Sequence, residues 1–464
     1  MVNGRAVSGI ACLFWIPLAL ILSGCGAVAT RTKFYMPVTD TLVAGNFTQA
    51  AAEFNKAKFD KKDRFLYFVD SGALYHYASE YDSSNIRLSS AENAADELFT
   101  RSISRAATSI LLNDNVLEYS GEDYEILYTN LLKALNYLAL NKFDDAFVEI
   151  RRADLKLSLL GQKYRDASDE LQRGEASDTT GTKLDYKPGE VRFNNDALAR
   201  YLGLHMYAAE GKWDDARIDY EKYLDAFLSQ PEIYPFEPPD VVYGIDSGAV
   251  LSVVGLAGLC PVKEALNLRL RTDKDLGLVQ VLYTDSENKD VEYGNLALPV
   301  KADYYFKFAI PKIAPRPSTI SAIRIWANGN ELGELGLLED VGKIAEETFE
   351  AKKTLIYLRS VGRAVAKGLA SHKLKEKVDT GDFVGWLKKV AVDVGSDISE
   401  NADLRCARFL PGKIYAADFV VPPGTYNLKI EFIDSSGRVA QTDTIPNYSV
   451  TKDGFNLVRA FSGQ

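Results

Sequence analysis

Apolar residues in the first half of the chain recur at helical spacing. They stand three or four positions apart ahead of two Gly or Asn turns, as at Leu131, Ala134, Leu135 and Leu138 before Asn141, and at Leu198, Leu202 and Met206 before Gly211. This spacing places each set on one face of a helix. The pattern therefore predicts pairs of amphipathic helices joined by short turns.

A second pattern follows each turn. An aromatic residue opens the next segment, a small residue stands three positions later, and larger or small residues follow at fixed steps. The frame occurs at Phe47-x2-Ala50-x3-Phe54, Phe143-x2-Ala146-x3-Ile150 and Trp213-x2-Ala216-x3-Tyr220, with a weaker copy at Tyr81-x2-Ser84-x3-Leu88. It resembles the second half of a tetratricopeptide (TPR) repeat, and Tyr81 follows Phe47 by about 34 residues, the TPR period. We expect a TPR-like array over residues 25–228, with unrelated helical hairpins as the alternative.

The character of the chain changes after Leu228. Residues 230–240 (QPEIYPFEPPD) contain four Pro, which cannot continue a helix, so residues 229–247 are predicted to form a stiff linker. Alternating or β-branched runs then predict strands at 266–271, 277–283, 304–310, 320–327, 413–421 and 426–433. Helical patterns at 338–372 and 383–399 interrupt them. The predicted fold class is α+β: an N-terminal TPR-like α-solenoid followed by a β-rich domain at residues 248–464, with a helical insertion at about 338–399.

The amino terminus has the pattern of a secretory leader. Arg5 provides a positive charge, and an apolar stretch from Ala6 to Ile21, broken by Pro17, is short for a membrane-spanning helix, which needs about 20 residues. Leu22, Ser23, Gly24 and Cys25 follow and resemble the lipobox of bacterial lipoproteins. That resemblance implies cleavage of residues 1–24 and lipid attachment at Cys25, whose several acyl chains would give stable anchoring. The alternatives are an ordinary secretory signal or an N-terminal membrane helix.

The residue after the lipobox cysteine bears on sorting. Lipoproteins retained in the inner membrane usually carry Asp there, whereas this chain has Gly26. The resemblance therefore implies an outer-membrane lipoprotein, and we expect it to face the periplasm. A second apolar stretch, residues 248–262 (GAVLSVVGLAGLCPV), is too short and too rich in Gly to span a membrane, so it predicts a buried strand and a turn.

Composition and charge exclude several classes of protein. The chain has 54 Lys and Arg against 64 Asp and Glu, a net charge of -10, and no basic stripe of the kind that binds nucleic acid. His76, His205 and His372 lack the spacing of a metal site, and no P-loop, dinucleotide-binding or nucleophile-elbow motif occurs in a supporting context. We expect no enzymatic activity, no catalytic residues, no metal, no cofactor and no nucleic-acid partner.

Three sets of residues are candidates for binding or cross-linking. Tyr75, Tyr77, Tyr201 and Tyr207 would line the concave face of a solenoid, with helix packing as the alternative. Arg359, Arg363 and Lys367 form a basic stripe that would meet an anionic surface or merely face solvent. Cys260 and Cys406 would pair as a disulfide in an oxidising periplasm, or remain two separate buried thiols.

The combined features resemble a known family. The lipobox, the stretch Asp123–Asp154, the segments Pro311–Ser318 and Phe409–Ile414, and the sequence Pro422–Thr425 together resemble an uncharacterised family of bacterial TPR-bearing outer-membrane lipoproteins. Its members are often encoded near lipoproteins that activate penicillin-binding proteins or resemble curli secretion components. The resemblance implies a role in envelope biogenesis but carries over no active site.

Three functional hypotheses follow. The first is a lipid-anchored envelope scaffold or adaptor that binds a protein or peptide through the helical array, because tethering would raise the effective concentration of partners. The second is an envelope enzyme that acts on a cell-wall or glycan substrate through carboxylates of the C-terminal domain. The third is a structural subunit of an export assembly.

Overall fold

The computed structural model describes residues 32–103, 118–176, 192–273, 275–276, 278–284, 289–297, 305–353, 356–357 and 402–464. Within these residues the N-terminal half is helical and the C-terminal half consists mainly of strands. The mixed α and β composition predicted from the sequence, with helices first and strands second, is confirmed.

The helices pair in chain order. Their bounds are α1 Thr32–Val43, α2 Phe47–Phe54, α3 Arg64–Tyr77, α4 Tyr81–Ile103, α5 Asp123–Ala139, α6 Phe143–Ala176, α7 Ala197–Ala209 and α8 Trp213–Ser229, with a 3-10 turn at Lys61–Asp63. The helices α1 and α2, α3 and α4, α5 and α6, and α7 and α8 form successive hairpins. The long helix α6 continues to Ala176, because residues 168–176 consist largely of good helix formers.

The same turn joins the helices of each hairpin. One residue adopts a left-handed backbone conformation, namely Gly45, Ser79, Asn141 or Gly211, with φ between 56° and 79°. The next N–H then donates to the carbonyl five residues earlier, as from Asn46 to Thr41 and from Lys142 to Tyr137, which satisfies carbonyls at the helix end. The following helix begins at Phe47, Tyr81, Phe143 or Trp213, the aromatic positions that the sequence frame predicts as helix starts.

Small residues allow the paired helices to approach closely. The residue three positions after each aromatic is fully buried, as the 0% exposure of Ala50, Ala146 and Ala216 shows. In the second hairpin this residue is Ser84, which donates to the Gly72 carbonyl at 2.7 Å. A Cβ atom at Gly72 would lie 2.5 Å from Leu88 Cδ2, so only glycine fits at this crossing.

The strands form three sheets of four strands each among the described residues. Their bounds are β1 Ala249–Leu259, β2 Val262–Asp273, β3 Leu278–Thr284, β4 Asp290–Ala297, β5 Tyr305–Ala314, β6 Ile320–Ala327, β7 Asn330–Glu334, β8 Gly336–Asp340, β9 Pro411–Val421, β10 Gly424–Asp434, β11 Val439–Val450 and β12 Asn456–Ser462. Sheet A has the order β12-β1-β9-β8, sheet B the order β11-β10-β6-β7, and sheet C the order β4-β3-β2-β5.

Sheet A lies between the helices and sheet B. Along β1, Val254 and Leu256 belong to the apolar core shared with the helices, whereas Leu251 and Val253 belong to the core shared with sheet B. Both faces of β1 are therefore buried, which explains its nearly continuous apolar sequence. The strand and turn predicted for residues 248–262 are confirmed, and none of the helices in the described ranges is long and apolar enough to cross a membrane.

The sequence located some strands and missed others. The six predicted strands correspond to β2, β3, β5, β6, β9 and β10, but β4, β7, β8, β11 and β12 were not predicted. Strand β11 is an edge strand with exposed polar residues. Strand β12 pairs in parallel with β1, and no local sequence pattern predicts this pairing. The predicted helix start at Leu338 is wrong, since Leu338 belongs to β8 and the helix α9 covers residues 341–353. Residues 383–399 lie outside the described ranges.

Candidate binding site at the helix and sheet interface

Residues 402–410, hereafter the strap, run between the helical layer and the β half. Most of the strap is buried, including Arg405, Cys406, Ala407, Phe409 and Leu410. The strap leads directly into the central strand β9, so it connects the interface to the core of sheet A.

Buried carboxylates of the helices hold the strap by its main chain. Oδ1 of Asp70 on α3 accepts the backbone N–H groups of Arg408 at 2.8 Å and of Phe409 at 3.1 Å. Oε1 of Glu125 on α5 accepts the N–H of Ala407 at 2.6 Å. These contacts do not depend on the strap's side chains, so the helices hold this segment through its main chain.

The side chain of Arg405 adds sequence-specific contacts to these main-chain hydrogen bonds. Arg405, which is 2% exposed, donates to Asp63 at 3.0 Å and to both oxygens of Asp403 at 2.9 and 2.8 Å. Its guanidinium group also lies over the Tyr119 ring, 5.2 Å from the ring centre. A buried arginine needs this set of partners because an unpaired charge in the interior is costly.

The carbonyl groups of the strap also have partners. The Tyr77 hydroxyl donates to the Phe409 carbonyl at 2.8 Å, and Arg316 donates to the Arg408 carbonyl at 2.5 Å. The Cys260 thiol donates to the Ala407 carbonyl at 3.4 Å. Residues of the helices and residues between the strands thus both bond to the strap.

Burial perturbs the carboxyl groups that hold the strap. Desolvation raises the pKa of Asp70 to about 6, against the lowering effect of the backbone N–H groups of Arg408 and Phe409. Desolvation likewise raises the pKa of Glu125 to about 7, although Lys263 and the N–H of Ala407 oppose this rise. Both carboxyl groups therefore have pKa values raised towards neutral pH.

The four tyrosines predicted to line a groove have different environments. Tyr77 and Tyr201 are buried, at 6% and 0% exposure, and contact the chain's own strap and sheet A. Tyr75 accepts from Asn55 at 3.0 Å, and the Tyr207 ring lies 4.8 Å from that of Phe147. At Tyr77 and Tyr201 the helical face is therefore filled by the chain itself and does not form an open groove.

The possible disulfide is absent. Cys260 and Cys406 are free, buried thiols, so of the two alternatives the structure has the separate thiols and not the bridge. The physical reason is their separate bonding: Cys260 is directed at the Ala407 carbonyl, with Arg316 3.8 Å from its sulfur. Desolvation raises the pKa of Cys260 to about 12, so this thiol stays protonated.

An acid pair occurs at the interface but is closed to solvent. Asp196 at the start of α7 and Glu339 on β8 are both 0% exposed. Tyr128 donates to Glu339 at 2.6 Å, and the N–H of Leu198 donates to it at 2.8 Å. Desolvation and the proximity of Asp196 raise the pKa of Glu339, so the pair holds a proton.

Within the described ranges, no group of three or more His, Cys, Asp and Glu has the geometry of a metal site.

A pocket lies at the other end of the same interface. Its deep end contains His205 of α7, whose Nε2 lies 2.9 Å from Oδ2 of Asp418 on β9, although the N–H is not well aligned with that oxygen. Tyr201 and the N–H of Val242 donate to the same carboxylate at 2.6 and 2.8 Å. Desolvation acts to raise the pKa of Asp418, but the proximity of His205 and the bonds from Tyr201 and Val242 outweigh it and lower this pKa, so the carboxylate is ionised.

Ser252 completes the deep end of the pocket. It is the direct cross-strand neighbour of Asp418, and it is 1% exposed. Its hydroxyl lies near that of Tyr201 but has no well-directed hydrogen bond to any described residue. The pocket has a volume of about 480 Å³ and opens past Trp213, Tyr243 and Phe455. A serine bonded to His205 would suggest a nucleophile, but no such bond is present.

Sequence reasoning missed most of this interface. His205 carried no signal of metal spacing, and Ser252 and Asp418 lie in separate strands whose pairing cannot be deduced locally. The sequence did single out Cys406 of the strap together with Cys260, Tyr77 and Tyr201, but it assigned them to a possible disulfide and a possible groove. A buried charge in an apolar run is the signal that indicates the strap.

The other predicted sites lie outside the described residues. These are Leu22, Ser23, Gly24 and Cys25 of the lipobox, together with Arg359, Arg363, Lys367 and His372. His76 is buried, with Nδ1 2.6 Å from Asn136 Oδ1, and desolvation lowers its pKa to about 4.

No protein-family model matches the chain, and comparisons with curated proteins and with solved structures found no match.

Proposed function

We propose that this protein is a lipid-anchored scaffold or adaptor of the bacterial cell envelope, in which TPR-like helical hairpins bind a polypeptide segment through its main chain. The lipid on Cys25 would hold it to the outer membrane, facing the periplasm, and its partners would be proteins or peptides of envelope biogenesis. The observation that carries the proposal is the strap, which the helices hold through Asp70 and Glu125 by main-chain N–H groups.

The chemistry of the strap supports the binding of a partner segment at this face. Main-chain hydrogen bonds give affinity for any extended chain, whereas a pocket for one side chain gives selectivity. Here Asp63 and Tyr119 supply that pocket for Arg405. A partner segment with an arginine two positions before a small residue and four positions before an aromatic residue, the spacing of Arg405, Ala407 and Phe409, would exchange with the strap.

The repeated hairpin turns support the TPR-like part of the proposal. Each of the four turns has a left-handed residue and the same backbone bond across five residues. Each is followed by an aromatic helix start and a buried small residue, as at Phe47 and Ala50. Repeat proteins are built from such equivalent units, and their extended faces bind other chains.

A peptide-exchange experiment tests the function. A fluorescent peptide with the sequence of residues 402–412 (ADLRCARFLPG) is titrated with the full chain and with its Arg405→Ala variant, and binding is followed by anisotropy. We expect the variant to bind the peptide at least about tenfold more tightly, because its own strap no longer competes for Asp63.

Two controls accompany the exchange experiment. A peptide with alanine at the position of Arg405 should lose the gain, and the protein variant Arg438→Ala, which removes an exposed arginine bonded to Asp434, should behave like the parent. Circular dichroism establishes that each variant is folded. Equal peptide binding by the parent and by a folded Arg405→Ala variant would contradict the proposal.

Lipid anchoring is tested separately in cells. Radiolabelled palmitate should enter the full chain, and Cys25→Ser should abolish the label, because only a thiol accepts the diacylglyceryl group. Cys12→Ser, within the same leader, is the matched control and should leave the label unchanged. Label that persists in Cys25→Ser would remove the anchor from the proposal.

The two alternative functions make different demands. An enzyme acting through carboxylates of the β half needs an acid pair in an open cleft, whereas Asp196 and Glu339 are enclosed by Tyr128 and Tyr234. A structural subunit of an export assembly would self-associate stably, which sedimentation of the full chain in detergent measures. We favour the scaffold because the strap is a specific observation for peptide recognition.

A further inference from the structure

The pocket at His205 has properties that scaffolding does not require. It is formed by the turn between α7 and α8, the start of β1, the preceding segment around Tyr243, and the loop at residues 452–455. Its volume of about 480 Å³ is in the range of small-molecule sites. The strap occupies a different part of the interface, so the pocket is not part of the peptide-binding face.

Charges around the pocket are balanced. Lys452 and Asp453 are neighbours on one side, and Glu210 on the opposite side is paired with Lys212 at 2.7 Å. Asp418 at the deep end already accepts hydrogen bonds from Tyr201 and from the N–H of Val242, and Nε2 of His205 lies 2.9 Å from it. No concentration of one charge is present to select a phosphate, a carboxylate or a cation, so the pocket favours an uncharged ligand.

Two polar groups at the deep end remain available to such a ligand. Ser252 is 1% exposed, and its hydroxyl has no well-directed hydrogen bond to any described residue. This hydroxyl can both donate and accept. The ring of His205, which is 5% exposed, also lines the deep end, and its Nε2, 2.9 Å from Oδ2 of Asp418, has no well-directed hydrogen bond among the described residues.

Buried polar groups without partners are costly in a protein interior, typically by about 1–3 kcal/mol each. Their presence at the end of a pocket therefore suggests that a ligand completes their bonding. The ligand must offer both donors and acceptors at short spacing, which is the property of adjacent hydroxyl groups.

The rim of the pocket carries an exposed aromatic ring. Trp213 occupies the helix-start position that Phe47 and Phe143 occupy in earlier hairpins, where those rings are half-buried against the core. Trp213 is instead 53% exposed and lines the pocket together with Tyr243 and Phe455. Because Trp213 does not pack against the core as Phe47 and Phe143 do, its ring is available to a ligand.

From these observations we infer that the pocket binds a neutral, hydroxyl-rich ring, namely the terminal unit of an uncharged oligosaccharide. The ring's C–H face packs on Trp213, and its hydroxyl groups bond to Ser252 and His205. This binding activity goes beyond the scaffold function, and the protein would hold a glycan without cleaving it, since Ser252 has no bond to His205 that would activate it as a nucleophile.

Calorimetric titration with defined sugars tests this inference. The full chain, in a detergent without a sugar headgroup, is titrated with triacetylchitotriose, maltotriose and cellotriose up to about 10 mM. This concentration range detects binding with dissociation constants as weak as about 1 mM. We expect saturable binding of at least one of these sugars. Trp213→Ala should weaken it at least about tenfold, and Ser252→Ala about threefold to tenfold, through loss of stacking and of one hydrogen bond.

Leu228→Ala provides the matched control. Leu228 lies on the same helix as Trp213, is 82% exposed, and does not line the pocket, so its truncation should leave sugar affinity unchanged. The melting temperature of each variant separates lost binding from lost folding. The absence of saturable binding, or binding that Trp213→Ala leaves intact, overturns the inference, as does tighter binding of glucose 6-phosphate than of any neutral sugar.

Discussion

The strap and the His205 pocket are two ends of one interface between the same helical layer and the same sheet. At the strap, carboxylates of Asp70 and Glu125 bond to backbone N–H groups and the chain closes over them. At the pocket, Asp418 is equally buried and bonded, but its neighbours Ser252 and His205 face an open cavity. The same chemical groups thus produce a closed structural joint in one place and an accessible site in the other.

The difference teaches that burial of charge alone does not indicate function. Asp70 and Glu125 have strongly perturbed pKa values, yet all of their oxygens meet donors of the same chain. The more informative signal is the polar atom left without a directed partner next to space, as at Ser252. Variants that affect only one end of the interface will measure how independent the two ends are.

The largest expected effect lies at the strap. Arg405→Ala should destabilise the fold by about 3–5 kcal/mol, because it leaves the buried Asp63 carboxylate without its partner. Guanidinium denaturation measures the loss. Arg438→Ala, whose arginine is 80% exposed, should stay within about 0.5 kcal/mol of the parent, and an equal loss in both variants would show that the strap is not a joint.

The enclosed acid pair predicts a pH dependence of stability. The pKa of Glu339 is raised in the folded protein above its unfolded value, so the folded state holds more protons and its stability falls as pH rises through the folded pKa. Raised pKa values at Asp70 and Glu125, of about 6 and 7, act in the same direction. We therefore expect the free energy of unfolding to be lower at pH 8 than at pH 5.

Glu339→Gln sharpens this prediction because glutamine resembles the protonated carboxyl group. It should raise stability at pH 8 by about 1–3 kcal/mol and flatten the decline with pH, since no buried charge then develops beside Asp196. Urea melts at both pH values measure this. Glu346→Gln, at a half-exposed side chain on α9, is the control and should leave the slope unchanged. A steeper decline in Glu339→Gln would contradict the shared proton.

The smallest effect contrasts two buried serines. Ser84→Ala removes a bond to the Gly72 carbonyl and an acceptor for Asn136, and it should cost about 1–2 kcal/mol. Ser252→Ala removes a hydroxyl without a directed partner and should change stability by no more than about 0.5 kcal/mol. Thermal melts compare the two. A loss at Ser252 as large as that at Ser84 would mean that the pocket hydroxyl already has a structural bond.

Local patterns predicted the helical half more fully than the interface. The helix starts at Phe47, Tyr81, Phe143 and Trp213 follow from turn residues and aromatic spacing, because each turn is determined by a few neighbouring residues. Strand β1 followed from its apolar run, since a strand buried on both faces has no polar positions. Strand β12 was missed because its partner lies about two hundred residues away in the chain.

The candidate sites required the tertiary structure for the same reason. His205, Ser252 and Asp418 come from a helix and two strands, and only the register that pairs Ser252 with Asp418 brings them together. The hydrogen bonds of Cys260 and Tyr77 also depend on the strap, because both side chains donate to its carbonyl groups. No local pattern in the sequence predicts that the strap covers this helical face.

The amino-acid sequence by itself determined the helical hairpins, the buried first strand and the order of helices before strands, because these depend on contacts between near neighbours. The tertiary structure alone decided that residues 402–410 fill the helical face, that the two cysteines stay apart, and that a pocket forms beside His205. Those outcomes depend on which distant segments meet, and main-chain pairing between strands carries no signature in any single stretch of sequence.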